Sequence, residues 1–310
     1  MVKNVAASII ERLKNLSRAN GKAFNVITIL YFQERFLQRL SLSSYKENLI
    51  LKGGLYLYSV TKFKSRPTRD MDFSGKRLRN DADAMVKIIT SICEITTDEE
   101  DGIVFHTDKI TAQIIKEDAD YEGVRIKIPC TLANMKEMLQ LDIGFGDVVI
   151  PSPRTIEFPT LLEMNMPEIL VYSNDSVVSE KFEAMISLSE NNSRMKDFYD
   201  IYTLARSVEF DGRTLYEAVF ETFQQRMTNV EREHVIFTPD FYSNSKRNMM
   251  WKNFMSNLKL EEELSFIEVM EIINIFLKPI YDHVLSEDEF FGKWDISLMV
   301  WNKLIGVGDA

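Results

Sequence analysis

Asp70 and Asp72 stand one residue apart in "RPTRDMDFS", downstream of the pair Gly53 and Gly54 in "LKGGLYLY". On a strand, positions i and i+2 share a face, so the two carboxylates would project together while Met71 and Phe73 turn into a core. Carboxylates held a few ångströms apart repel, and a crowded pair calls for a compensating charge. A hard divalent cation supplies it. Mg²⁺ prefers oxygen ligands and often combines one or two carboxylates with substrate phosphates. A third carboxylate, Asp142 in "LQLDIGFGD", falls between Leu141 and Ile143 in an apolar strand, where an unpaired charge is expensive. A neighbouring strand would set it beside the other two. Gly53 and Gly54 permit close backbone approach to a ligand, and amides at the start of a following helix can hold phosphate. Arg66 and Arg69 immediately precede the aspartates and can engage phosphate oxygens bidentately.

Each of these residues has a plainer role. The Gly-Gly segment can be a hairpin with a charged tip, and Asp-x-Asp alone is a common pattern. Asp142 can pair with an arginine across the sheet, and Asp147 can cap a turn. Arg66 and Arg69 can pair with Asp70 or Asp72 in the empty protein. The order of the pieces favours metal and triphosphate: Gly-Gly, a short segment, Asp-x-Asp, then a lone aspartate in a strand. The segment is not a P-loop, because "GxxxxGK[ST]" is missing, and it is not a dinucleotide fingerprint, because no third glycine follows at the required spacing.

The elements that would position these residues can be read from periodicity. Residues 4–16 and 24–40 read as helices separated by Asn20-Gly21, and a third short helix is expected to lead into Leu49–Leu51. "KITAQIIKEDADYEGVRIKIPCTL" reads as two strands around a polar turn, with Val124, Ile126 and Ile128 alternating with Arg125 and Lys127. "MLQLDIGFGDVVI" reads as a further strand, and "NDADAMVKIITSICEIT" as a helix capped by Asn80 or Asp81. From about residue 160 the chain reads as mainly helical. The expected fold class is α+β: a mixed sheet with flanking helices, then a helical C-terminal region, divided as residues 1–160 and 161–310.

Composition bounds the rest. An apolar fraction of 45% and a charged fraction of 27% suit an ordinary globular protein. No apolar run is long enough to span a membrane, and no signal peptide is expected. Cys93 and Cys130 are the only cysteines, which points to core thiols in a reduced, cytoplasmic protein. With three histidines, they cannot supply a thiol-rich zinc site. The net charge of −10 argues against broad coating of nucleic acid. Residues 62–79 are nonetheless locally basic, with Lys62, Lys64, Arg66, Arg69, Lys76, Arg77 and Arg79. "SNSKRNMMWKNFMSNLK" interleaves basic residues with Trp251 and Phe254; it suits either RNA contact or a solvated helix with its aromatics buried below.

The pieces "LKGGLYLY", "RPTRDMDFS", "LQLDIGFGD", "VVSEKFEAMISL" and "SRMKDFYDIYTL" lie in order within residues 51–206. Together they resemble the nucleotidyl transferase AbiEii/AbiGii toxin family, within the DNA polymerase beta-like nucleotidyltransferase superfamily. The resemblance implies that Gly53 and Gly54 form a phosphate-facing turn and that Asp70 and Asp72 bind metal, with Asp142 as the third sheet carboxylate. It assigns Lys181 to the family's helical motif and Asp197 to its lysine-aspartate signature, both contributing to the cleft. On spacing alone, Lys181, Arg194, Asp197 and Asp200 are equally suited to salt bridges on or between helices. Leu55 stands where the family often has threonine or serine. The implied activity is Mg²⁺-dependent transfer of NMP from an NTP to an acceptor, expected to be RNA such as a tRNA end. The implied setting is the toxin of a toxin–antitoxin or phage-defence (abortive infection) pair, with a cognate antitoxin as partner. Two other readings keep the same residues: a small-molecule nucleotidyltransferase, and a non-catalytic binding protein of the same fold.

Overall fold

The computed structural model describes residues 4–61, 66–118, 121–258 and 264–302. Lys62 and Lys64 of the basic segment and the Ala119-Asp120 turn lie outside the described residues. The chain divides into two compact units, Met1–Asp147 with Pro153–Tyr172, and Val148–Ser152 with Ser173–Ala310.

The first unit holds α1 (Val5–Ala19), α2 (Phe24–Leu42), β1 (Leu49–Lys52), α3 (Gly53–Val60), β2 (Asp70–Gly75), α4 (Ala82–Cys93), β3 (Ile103–Phe105), β4 (Thr111–Asp118), β5 (Tyr121–Leu132), β6 (Met135–Phe145), β7 (Arg154–Glu157) and β8 (Glu168–Val171). The strands form one mixed sheet in the order β3-β5-β6-β2-β1-β8-β7, with β4 paired to β5. The centre is set by three contacts: β1 antiparallel to β2, β2 parallel to β6, and β6 antiparallel to β5. Strict alternation gives this centre one apolar face. Met71, Phe73, Leu141, Ile143, Val124 and Ile126 are all buried on it. Phe36 of α2 packs edge-on against Phe73, with ring centroids 6.4 Å apart. Met85, Ile89 and Ile92 give α4 its buried stripe, and Asp81 caps that helix by accepting from the Ala84 amide at 2.7 Å. Burial pushes the Cys93 and Cys130 thiols up to about 12, so both remain protonated core groups.

The short helix expected before Leu49 is instead a run of turns over residues 43–48. The Ser43 hydroxyl accepts from the Tyr45 amide at 3.0 Å, and Asn48 N–H closes on Tyr45 O at 2.9 Å. Side-chain capture of a nearby amide is the usual way serine diverts a chain from helix into turn.

The second unit holds α5 (Asn174–Leu188), α6 (Met195–Ala205), α7 (Gly212–Gln225), α8 (Pro239–Ser243), α9 (Ser245–Leu258), α10 (Phe266–Ser286) and a small hairpin of β9 (Lys293–Asp295) and β10 (Val300–Asn302). Its core is aromatic. Phe182 lies 5.5 Å from Phe223 and 6.0 Å from Tyr281, and Phe198 lies 5.2 Å from Phe266. Ser265 and Glu268 close a reciprocal capping box at the start of α10. Trp251 of α9 is buried against Phe266, and its indole N–H donates to Leu264 O at 2.7 Å. Arg247 lies over the Phe241 ring and donates to Glu190 O at 3.0 Å. The basic-aromatic segment therefore uses these two side chains inside the unit. No described helix is long and apolar enough to cross a membrane.

Candidate active site

The face of the first unit's sheet opposite its apolar core carries the predicted carboxylates. Asp72 is the register partner of Asp142 on β6, Asp70 is the partner of Gln140, and Lys52 on β1 is the partner of Asp72. Parallel neighbours in register point to the same side, and adjacent strands run about 4.8 Å apart. Asp70 and Asp72 therefore share a face, as their spacing implies, and strand register sets Asp142 beside Asp72. Asp70 and Asp72 are half-buried, whereas Asp142 is buried.

Gly53 is required by what lies against it, and Gly54 is closely packed. Gly53 has φ +66, and a Cβ built there would come within 2.7 Å of the Asp72 carboxyl carbon. At Gly54 a Cβ would meet Thr68 at 3.0 Å and the Arg66 guanidinium at 3.4 Å. The turn into α3 is thus pressed against Asp72 on one side and against the Arg66 loop on the other. Leu55, the next residue, is fully buried. Gln33, a buried residue of α2, donates to the Arg69 carbonyl at 3.0 Å and the Thr68 carbonyl at 3.4 Å, which fixes the approach to Asp70. Arg66 is half-buried beside the glycines, and Arg69 is exposed.

Asp142 has a cross-strand partner. Arg125 on β5 donates from Nε to Oδ1 at 2.8 Å and from Nη2 to Oδ2 at 2.7 Å, and Gln140 Nε2 reaches Oδ2 at 3.3 Å. These bonds raise the Arg125 pKa above its ordinary value; partial burial opposes the rise, and the charges of Asp142, Asp70 and Asp72 add to it. A second ion pair lies beside the glycine turn. Lys52 Nζ is 2.9 Å from Asp147 Oδ2, which also accepts from the Tyr172 hydroxyl at 2.9 Å. Asp147 thus pairs with a buried lysine, a role beyond the turn-capping considered for it.

The second unit brings Lys181 and Asp197 together. Lys181 Nζ on α5 lies 2.7 Å from Asp197 Oδ1 and 2.9 Å from Asp200 Oδ2 on α6, and Arg194 Nε lies 2.6 Å from Asp197 Oδ2. Asp197 is fully buried. Burial alone would raise its pKa, but Lys181 and Arg194 outweigh that and hold it at about 2. Tyr199 and Tyr202 are buried on the same helix and so pack within the unit.

Sequence reasoning did not assign Arg125, Gln33 or Lys52 to the site. The alternation in "VRIKI" did put Arg125 on the polar face, but its partner depends on register between distant strands. The donor chemistry of Asp70 and Asp72, hard oxygens on one sheet face beside a glycine turn, suits Mg²⁺. Among the described residues, no group of three or more histidine, cysteine, aspartate or glutamate side chains is arranged to hold a metal ion. The fit therefore rests on the Asp70–Asp72 pair.

Two solved structures from Helicobacter pylori are similar to this chain. One is a crystal structure of a candidate nucleotidyltransferase, with 14% identity and a TM-score of 0.46, covering 86% of this chain and 98% of the other. The second is JHP933, with 14% identity and a TM-score of 0.47, covering 86% of this chain and 95% of the other. No curated protein is a significant match. The family model of the nucleotidyl transferase AbiEii toxin, type IV toxin–antitoxin system, matches residues 35–275. That span takes in the glycine turn, all three sheet aspartates and the Lys181–Asp197 pair, and the chain belongs to this family of nucleotidyltransferase toxins.

Proposed function

We propose that the chain transfers an NMP from an NTP to an RNA acceptor, such as a tRNA end, in a Mg²⁺-dependent reaction. It would act in the cytoplasm as the toxin of a pair that includes a cognate antitoxin. The observation that carries the chemistry is the shared sheet face of Asp70 and Asp72, with the Gly53 turn pressed against Asp72. Asp70 and Asp72 would hold the ion, which when bound neutralises charge building up on the triphosphate oxygens. Arg66 and Arg69 would bind and orient the triphosphate, and the turn at Gly53 and Gly54 would let its phosphates approach the backbone. An acceptor oxygen attacks the α-phosphorus, a new P–O bond forms, and pyrophosphate leaves with the electron pair of the broken bond. We assign Lys181 and Asp197 a part in turnover beyond their part in the fold. The locally basic segment around Arg66 and Arg69 suits RNA phosphates, although the net charge of −10 restricts such attraction to that region.

The test is incubation of the protein with each labelled NTP, Mg²⁺ and total RNA, followed by separation of labelled species. Label is expected in RNA with wild type and not with Asp70→Asn. Label in a small metabolite alone would move the acceptor to the small-molecule reading. Full transfer by Asp70→Asn would overturn the metal role. Lys181→Ala is expected to lower turnover by more than its loss of thermal stability explains; loss in strict proportion to unfolded protein would make it structural only.

A further inference from the structure

Asp142 is chemically unlike the other two carboxylates of the patch. Asp70 and Asp72 are half-buried with only Met71 between them in sequence, whereas Asp142 is buried and both of its oxygens accept from one guanidinium. Gln140 adds a third donor to Oδ2. A metal on Asp142 would have to displace charge-assisted bonds of 2.7 and 2.8 Å, leaving an arginine beside the incoming cation. The pairing reads more naturally from the arginine's side. Its Nε and one Nη2 hydrogen are committed to Asp142. The Nη1 hydrogens and the second Nη2 hydrogen are not, and no other described residue accepts from Arg125. The side chain is 33% exposed, and Asp70 and Asp72 are near enough for their charges to act on it. The result is a cation fixed edge-on by a buried carboxylate, with its outer donors turned away from that anchor.

We infer that Arg125 is a nucleotide-binding residue that takes anionic oxygens of the triphosphate, and that Asp142 is a positioning residue that holds the Arg125 fork rather than a metal ligand. This inference rests on the proposed nucleotidyl transfer at Asp70 and Asp72. A guanidinium fixed in advance loses little freedom when a phosphate arrives, so its bonds count toward affinity instead of toward ordering the side chain. It also accounts for a buried Asp142 in an apolar strand, which needs a partner whether or not a ligand is present.

The experiment is calorimetric titration with NTP analogues whose α–β bridge is methylene, in Mg²⁺, on wild type, Arg125→Ala, Arg125→Lys, Asp142→Asn and the double variant Arg125→Ala/Asp142→Asn. Loss of bonds to a charged ligand predicts about 10- to 100-fold weaker binding for Arg125→Ala. Arg125→Lys keeps the charge but lacks the fork, and is expected not to restore affinity. Asp142→Asn is expected to weaken binding less than Arg125→Ala, and the double variant to bind like Arg125→Ala alone. Additive losses in the double variant, or a larger loss from Asp142→Asn than from Arg125→Ala, would overturn the assignment and return Asp142 to the metal. Unchanged affinity in Arg125→Ala would also overturn it. Far-ultraviolet spectra and melting curves show whether each variant is folded, and Arg125→Gln replaces Arg125→Ala if the latter is not. Asp70→Asn separates the two readings. If it transfers nucleotide normally, the metal reading fails, while the Arg125 result stands on the binding data alone.

Discussion

The two units each carry a carboxylate centre, and the two centres differ in how deeply their carboxylates are buried. On the sheet of the first unit, Asp70 and Asp72 are half-buried and share a face, an arrangement that holds like charges together. In the second unit, Asp197 and Asp200 are buried on one helix and are met by Lys181, with Arg194 adding a second cation to Asp197. The sheet centre keeps its two carboxylates half-buried, beside the Gly53 turn and the Arg66 loop. The helical centre cancels its charge within the unit. Like charges crowded at an accessible face are a mark of a site that binds a cation, whereas matched buried charges contribute to structure only if all partners remain. Asp142 shows that the distinction belongs to the individual group: it lies on the sheet face yet is buried, as Asp197 is, and is held by the Arg125 guanidinium.

The largest expected effect breaks the comparison on the side of function. Asp70→Asn and Asp72→Asn should each lower nucleotide transfer by more than about 100-fold, beyond what loss of an outer-shell partner costs a metal site. Their melting temperatures should stay close to wild type, because both side chains are half-buried and Asn keeps nearly the same volume. A melting temperature that falls with activity would make the pair structural. The next effect breaks the comparison on the side of stability. Asp197→Ala leaves Lys181 with one buried partner fewer and Arg194 without its contact to this carboxylate. It should cost about 3–5 kcal/mol in urea unfolding, the range seen when one member of a buried pair is removed. A loss under about 1 kcal/mol would mean that solvent reaches this network after all.

This contrast also explains how much was legible in the sequence. Asp70 and Asp72 could be placed because Met71 and Phe73 alternate with them, and period-two alternation is a local signal. The same holds for Arg125 and Lys127 among Val124, Ile126 and Ile128. The partner of Arg125 was not legible, since Asp142 is joined to it by strand register across 17 residues. β1 and β8 were hard to read for a related reason. "LILK" is buried throughout, "EILV" is equally short, and they meet through the single register pair Leu51 and Val171. A strand buried throughout, such as β1, carries no alternation, and the 4 residues of β8 are too few for a period to be read. Lys181, Asp197 and Asp200 were visible as types and spacings, yet helical periodicity does not reveal that two helices bring them within hydrogen-bond distance.

A smaller effect sharpens the comparison through pH. Asp197 has its folded pKa depressed to about 2 from an ordinary 3.8. A depressed carboxylate binds protons more readily in the unfolded chain, so its contribution is complete above about pH 4 and is lost as pH falls toward 2. The shift corresponds to roughly 2 kcal/mol. Urea unfolding between pH 5 and pH 3 should therefore show a declining stability in wild type and a shallower decline in Asp197→Asn. Equal slopes would remove Asp197 as the source.

The smallest effect asks whether the first unit's own buried pair behaves like the second unit's. The side chains of Lys52 and Asp147 are both buried, and Tyr172 gives Asp147 a further hydrogen bond of 2.9 Å. Tyr172→Phe removes that hydroxyl while leaving the ion pair and the ring in place. One neutral donor to a carboxylate that keeps its cation contributes about 1 kcal/mol. Urea unfolding should report a loss of that size, and transfer should stay within about twofold of wild type, because a loss of about 1 kcal/mol leaves nearly all of a domain of ordinary stability folded. A large fall in transfer at unchanged stability would instead tie the Lys52–Asp147 pair to the Gly53 turn that Lys52 immediately precedes. The sheet centre would then depend on a matched buried pair for its geometry, as well as on the half-buried carboxylates for its chemistry.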